Sequence, residues 1–203
     1  MSLSRKSIKI YLLFVLFLGL YSCAPKVLNG LEKQTLNQSV SLASMIDYQE
    51  NGQANYRCKI DAFEQHISGM MIFKKTEQNR RVVMMTDFGL KVIDISYDNE
   101  GGYVINYIMK HFDYKFIRES FALNIAMLLQ TRIPQGNNSY QRAEDWVYYA
   151  PPVLFFQKDQ QTSRVERYRG KNKCLAIAEM QKNAVIRIQQ NKPEISIKLI
   201  PVN

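Results

Sequence analysis

From Asn55 onward the chain alternates polar and apolar residues with the period of a strand that buries one face. Tyr56, Cys58 and Ile60 alternate with Arg57, Lys59 and Asp61. Ile67 to Phe73 reads as a second strand, or as the first continuing past a bend. Arg81 to Thr86 follows, then Leu90 to Tyr97, in which Lys91, Ile93, Ile95 and Tyr97 oppose Val92, Asp94 and Ser96. The turn-forming run Asn99-Glu100-Gly101-Gly102 leads into Tyr103 to Ile108. Strands joined this closely form an antiparallel meander.

The period changes once. Between Asp113 and Gln130, Tyr114, Ile117, Phe121, Ile125 and Leu128 recur at helical spacing, with Asp113 as the expected N-cap and Pro134 as a stop beyond the end. A polar loop is expected over 135–142. Strands resume at Trp146 to Tyr149, Val153 to Phe156, Val165 to Tyr168, Lys173 to Met180, Ala184 to Gln190 and Glu194 to Ile200. The fold class is therefore mainly β (α+β): a curved antiparallel meander or half-open barrel of about ten strands with one central helix. A closed barrel and a curved sheet packed on the helix are the competing forms.

The N-terminus follows different rules. Arg5, Lys6 and Lys9 precede an apolar run from Ile10 to Leu20. At about eleven residues it is shorter than the roughly 20 a membrane-spanning helix needs, and matches the core of a secretory signal. Leu20-Tyr21-Ser22-Cys23 resembles the lipobox of bacterial lipoproteins, apolar at the first position, small at the third and ending in cysteine. Tyr21 departs from the family pattern, where small residues are usual. The resemblance implies a signal peptide over 1–22, cleavage before Cys23 and lipidation of that thiol. An uncut anchor is the alternative. Each buried CH₂ of an acyl chain contributes about 0.8 kcal/mol, so two or three chains hold a domain at a membrane where one does not. Ala24-Pro25-Lys26 puts no acid beside the cysteine, which in the family favours the outer membrane over the inner.

Residues 23–53 are polar and read as a tether, with a possible short helix through Leu36, Val40 and Ala43; 54–203 read as a single β-rich domain. The formal net charge is +9, and +6 without the first 22 residues, which hold Arg5, Lys6 and Lys9 and no acid. Such a charge suits an anionic membrane surface. The densest basic run, Arg164, Arg167, Arg169, Lys171 and Lys173, reads as a solvated strand-turn-strand edge. With no recognisable binding motif, nucleic acid is not an expected partner.

A lipoprotein of this size, with a meander, a mid-chain helix and more meander, resembles the half-open barrels of Lol-type lipoprotein carriers and receptors. Ile67-Ser68-Gly69 opening one strand and Thr86-Asp87-Phe88-Gly89 between two others carry that resemblance locally. It implies a curved sheet around an apolar hollow, a helical lid, and a lipid or lipoprotein ligand.

Candidate chemistry is sparse. His66 and His111 are the only histidines and lack metal-ligand spacing, so no metal is expected. Asp87-Phe88-Gly89 has no accompanying kinase motif, and Gly89 reads as a positive-φ turn residue. Glu144 and Asp145 are adjacent on a predicted strand and face opposite sides, unlike a working carboxylate pair. No catalytic residue or cofactor is expected. The aromatics around Pro151-Pro152 and the methionines of two neighbouring strands read as core or as the lining of a pocket. Met71, Met84, Ile117, Phe121, Leu128 and Trp146 are the candidate ligand-binding residues. The expected function is a membrane-tethered lipoprotein holding an amphiphile in an apolar cavity; the alternative is a non-catalytic assembly lipoprotein docking on an envelope complex. Cys58 and Cys174 allow either two free thiols or a bridge across roughly a hundred residues, nominally worth about 4–5 kcal/mol.

One outcome tests the N-terminus. Cys23→Ser is expected to abolish incorporation of a fatty-acid analogue and to leave the signal attached; equal labelling of mutant and wild type would refute the lipobox reading.

Overall fold

The alternation of residues 53–62 carries straight into the structure, a computed structural model that describes residues 25–142, 145–170 and 172–202. In β3 (Gln53–Ala62), Tyr56, Cys58, Ile60 and Ala62 are buried while Arg57, Lys59 and Asp61 face solvent. Before it lie β1 (Glu32–Thr35) and β2 (Val40–Ser41); after it come β4 (Gln65–Lys75), β5 (Asn79–Thr86), β6 (Lys91–Asp98) and β7 (Tyr103–Ile108). Helix α1 (Lys115–Leu129) is followed by β8 (Arg132–Ile133), β9 (Asn138–Arg142), β10 (Asp145–Ala150), β11 (Val153–Lys158), β12 (Gln161–Arg169), β13 (Lys173–Met180), β14 (Ile186–Asn191) and β15 (Glu194–Pro201).

Thirteen of the described strands form one antiparallel sheet in the order β1-β9-β10-β11-β12-β13-β14-β15-β3-β4-β5-β6-β7, and β2 pairs only with β8. The sheet is not closed; β1 and β7 are its two edges. Strand-to-strand rotation of about 20–25° accumulates across such a sheet and curls it. The inner face is apolar and α1 fills the curve, packing on β7 of one wing and on β12 and β13 of the other. This is the curved, half-open meander with one central helix that the hydrophobic pattern predicts.

The core shows how closely the halves fit. Met71 and Met84 are direct partners across β4 and β5, both wholly buried, so the two methionine strands do meet inside. Phe121 of α1 meets Phe112 edge-on at 5.5 Å between ring centroids. Ile117, Phe121, Ile125 and Leu128 join the same buried cluster as Met71 and Met84. On the other face Leu28, Tyr140, Val147, Tyr149 and Leu154 make a smaller cluster over β9 to β11.

Three expectations are corrected. The segment read as a tether with a short helix carries β1 and β2 instead, and Leu42, Met45 and Ile46 enter the main core. The polar loop over 135–142 holds β9, which pairs with β1. All four β1 residues, Glu-Lys-Gln-Thr, are exposed; backbone pairing alone forms the strand, so no apolar period announces it. Asp113 does not cap α1: the N-cap is Tyr114, with no side-chain bond, and Asp113 lies 3.3 Å from Arg118 as an ion pair. Cys58 and Cys174 are both free. Two strands, β14 and β15, separate theirs, and three strand spacings come to about 14 Å, beyond the roughly 7 Å a bridge tolerates. Burial pushes the Cys58 thiol far above its ordinary pKa, leaving it protonated and inert.

On the outer face a charged cluster ties the β5–β7 edge. The Asp94 carboxylate, only 2% exposed, accepts bonds from Arg81 Nε at 2.9 Å and Nη2 at 2.8 Å, Lys91 Nζ at 3.0 Å and Asn106 Nδ2 at 3.2 Å. The Arg81 fork holds this carboxyl well below the usual range against the opposing effect of burial, with Lys91 and Asn106 adding to the depression.

Two outcomes follow from this packing. Phe121→Ala should cost the full price of a packed phenylalanine, about 3–5 kcal/mol, read as a lowered midpoint in urea unfolding. Because the folded pKa of Asp94 is depressed, its stabilisation is complete at neutral pH and fades below about pH 4, where the unfolded chain binds the proton first. Asp94→Asn should therefore melt below wild type at pH 7, and the gap should narrow in melts at pH 3; a gap independent of pH would contradict this.

Candidate ligand-binding cleft

From Ile117 to Leu129 most apolar residues of the helix are buried and serve packing, but Leu123 is exposed and Ala126 half-buried. Beside Leu123 and Ala126, towards the C-terminal end, the packing opens. There the β6–β7 turn of one wing and the β10–β11 turn of the other stand apart and leave a cleft of about 660 Å³. Leu123, Ala126, Met127 and Leu129 of α1 form one wall, Pro151, Pro152 and Val153 another, and Tyr97 to Gly101 a third. Residues 130–132 and Pro134, on the exit from the helix, close the mouth with Ser39.

Local chemistry fixes these walls. Asp98 Oδ1 accepts from the Glu100 amide at 2.9 Å and the Gly102 amide at 2.7 Å, so its charge is used in holding the turn. Gly101 has φ +95°, a conformation open to glycine and strained for other residues. Tyr97 donates its hydroxyl to the Ala122 carbonyl at 2.9 Å, fastening β6 to the helix. The two prolines join β10 to β11, and the Pro152 carbonyl accepts from the Tyr168 amide at 2.9 Å.

Polar groups also reach the cleft: Arg80, Arg132 and Arg167 against Asp98 and Glu100. Arg132 donates to Ser39 Oγ at 3.2 Å. Arg167 is the unusual one. In β12 it shares the inward face with Val165, while Arg164, Glu166 and Tyr168 point outward and bond one another. Arg167 is 7% exposed, and its Nη2 donates to Asn124 Oδ1 at 2.9 Å and Gln190 Oε1 at 3.0 Å. Gln190 Nε2 in turn donates to Ser120 Oγ at 2.9 Å. Of the described members of the basic run read as a solvated edge, Arg167 is thus the one turned inside. Its signal lay in the strand phase: two residues beyond Val165, it had to share that residue's face.

The structure places the other candidates elsewhere. Met71, Met84, Ile117, Phe121 and Leu128 lie in the packed core, and Trp146 is half-buried, stacked on Tyr148 at 6.5 Å. None of the six lines the cleft. Cys23 lies outside the described residues, as do Glu144 and Lys171. His66 is exposed and 2.6 Å from Asp61. Among the described residues no three metal-ligating side chains converge, and no helix is long and apolar enough to cross a membrane.

A second feature sits at the opposite, N-terminal end of α1. Phe116 meets exposed Phe63 of the β3–β4 turn at 5.7 Å and exposed Tyr114 at 6.3 Å. Phe88 and Leu90, on the β5–β6 turn, are exposed as well.

No protein-family model matches the chain, and comparison with curated proteins finds no match. Among solved structures it is similar to a domain from Vibrio parahaemolyticus provisionally described as an outer membrane lipoprotein-sorting protein domain. That match has 6% identity and a TM-score of 0.41, over 77% of this chain and 86% of that one. It is also similar to a DUF1329 family protein from Desulfovibrio piger, with 6% identity and a TM-score of 0.37, over 76% and 85%. The functional reading rests on the cleft, not on these likenesses.

Proposed function

We propose that this chain is a lipid-anchored envelope protein that binds an amphiphile in the cleft at the C-terminal end of α1. The anchor is Cys23, reached through the lipobox; the outer membrane is its place, and the binding is non-catalytic. The observation that carries the reading is the cleft itself. Met71, Met84, Ile117, Phe121 and Leu128 are packed together on the concave face, whereas between the β6–β7 and β10–β11 turns the wings stand apart over an apolar wall. Its volume falls within the roughly 300–1,000 Å³ typical of small-molecule sites. Three arginines against two acids make its lining net positive, which favours an anionic amphiphile. The hydrocarbon would lie along Leu123, Ala126, Met127 and Leu129, gaining about 0.8 kcal/mol for each CH₂ removed from water.

The exposed aromatics at the other end of the helix favour a second reading, docking on an envelope partner, because exposed apolar patches commonly mark contact surfaces. One experiment separates the two. A chain beginning at Pro25 retains every strand and core residue described, and native mass spectrometry of it should show bound lipid. Ala126→Phe, which fills the cleft from a half-buried position, should reduce that adduct at least about tenfold with little loss of fold. No adduct in wild type, together with self-association lost in Phe116→Ser, would support docking instead.

A further inference from the structure

Arg167 has no anionic partner among the described residues. The nearest acid in sequence, Glu166, faces the outer side of the sheet, where Arg164 and Tyr168 bond it. Asp98 is held by its own turn, and no carboxylate among the described residues lies within ion-pair distance of Arg167. Both of its hydrogen bonds use Nη2 and end on neutral amides. Its Nε is buried and has no acceptor, and neither has Nδ2 of Asn124, the residue it touches. A buried cation without an opposite charge is unfavourable, and so is each buried donor left unbonded. The pKa of Arg167 is lowered by burial and then by Arg169, yet a guanidinium stays protonated in proteins. The protein therefore holds a permanent charge in the wall of an apolar cleft, backed by the fully buried Asn124.

We infer that Arg167 is the anion-binding point of the cleft and receives the carboxylate of a fatty-acid-like ligand. This rests on the cleft reading of the previous section. A carboxylate supplies to the guanidinium the acceptors and the opposite charge that the described residues do not give it. Gln190 and Ser120 hold the arginine in place from behind, since Gln190 bonds both Arg167 and the Ser120 hydroxyl. The acid enters head first, and its tail lies back along Leu123 and Met127 towards the mouth.

The test uses the chain from residue 25 to 203 and a neutral fluorophore, N-phenylnaphthylamine, displaced by palmitate or by hexadecanol. The two competitors share a tail length and differ in the head group. Wild type should release the fluorophore to palmitate at a concentration about tenfold or more below that needed with hexadecanol, a factor in the usual range for one charged hydrogen-bonded contact. Arg167→Met should lose that preference while keeping hexadecanol binding. Arg167→Lys should keep part of the preference. Equal displacement by the two competitors in wild type, or an undiminished palmitate preference in Arg167→Met, would overturn the carboxylate site and leave the cleft reading standing. Stronger competition by hexadecyl phosphate than by palmitate would overturn the carboxylate class. Fluorophore that binds neither wild type nor variant would remove the cleft reading, and this inference with it. The comparison of competitors on wild type needs no variant, so an unstable substitution does not remove the test.

Discussion

One strand pairing holds the two halves of this molecule together. β15, the last strand, lies between β14 and β3, with Ile195 opposite Ala62 and Pro201 opposite Tyr56. Without that seam the chain would be two separate meanders, β9 to β14 and β3 to β7, each with an apolar face too large to leave in water. The pairing fixes register as well as neighbourhood. Ile195, Ile197 and Leu199 face inward beside Ile60 and Cys58, and a slip by one residue would turn all of them outward. Because the seam joins the ends of the chain's own order, the sheet becomes long enough to curl, and the curl creates the hollow α1 occupies.

The helix is best understood as a wedge between unlike walls. Against the β7 wing it offers apolar contact and the Tyr97 bond to a backbone carbonyl. Against the β12–β14 wing it offers Ser120 and Asn124, which meet Gln190 and Arg167. Buried polar networks of this kind constrain position more than they add stability, since a helix rotated by one residue would leave their members unbonded. The wedge is thus held in rotation by polar groups and in depth by Phe121 and Ile125. Where its last turn emerges, neither restraint closes the space, and the cleft remains.

Much of this was written in the chain. Strands β3 to β7 and β10 to β15 follow from alternation, and α1 from a single change of period, because all of them bury one face and so must carry a periodic signal. Those missed share a physical reason. β1 is exposed throughout, β2 and β8 are two residues each, and β9 is mostly polar; each is held by backbone bonds that any sequence can make. The candidate site was harder to read than the fold. Apolar residues such as Met71, Phe121 and Leu128 look alike in sequence whether they line a cavity or fill a core. Only the curvature of the sheet decides which, and it filled the middle and left the end open. Arg167 was legible in principle, since strand phase places it inward, but a run of neighbouring bases disguised it as surface charge.

This division of the concave face bears on how a ligand enters. A lid that swung away as a unit would uncover Ile117, Phe121, Ile125 and Leu128 together, at about 1.5–3 kcal/mol for each large side chain exposed. The sum would rival the whole stability of a domain of this size. Loosening the last turn of α1 would be costly as well, because Met127, Leu128 and Leu129 are at most 3% exposed and Ile133 just beyond is wholly buried. A ligand bound in the cleft would therefore enter where the surface is already open, beside Leu123 and Ala126, while the Tyr97 and Arg167 contacts to Ala122 and Asn124 stay made. The filled core and the open cleft are then complementary: the first fixes the position of the binding groups, and the second admits a ligand without displacing the helix.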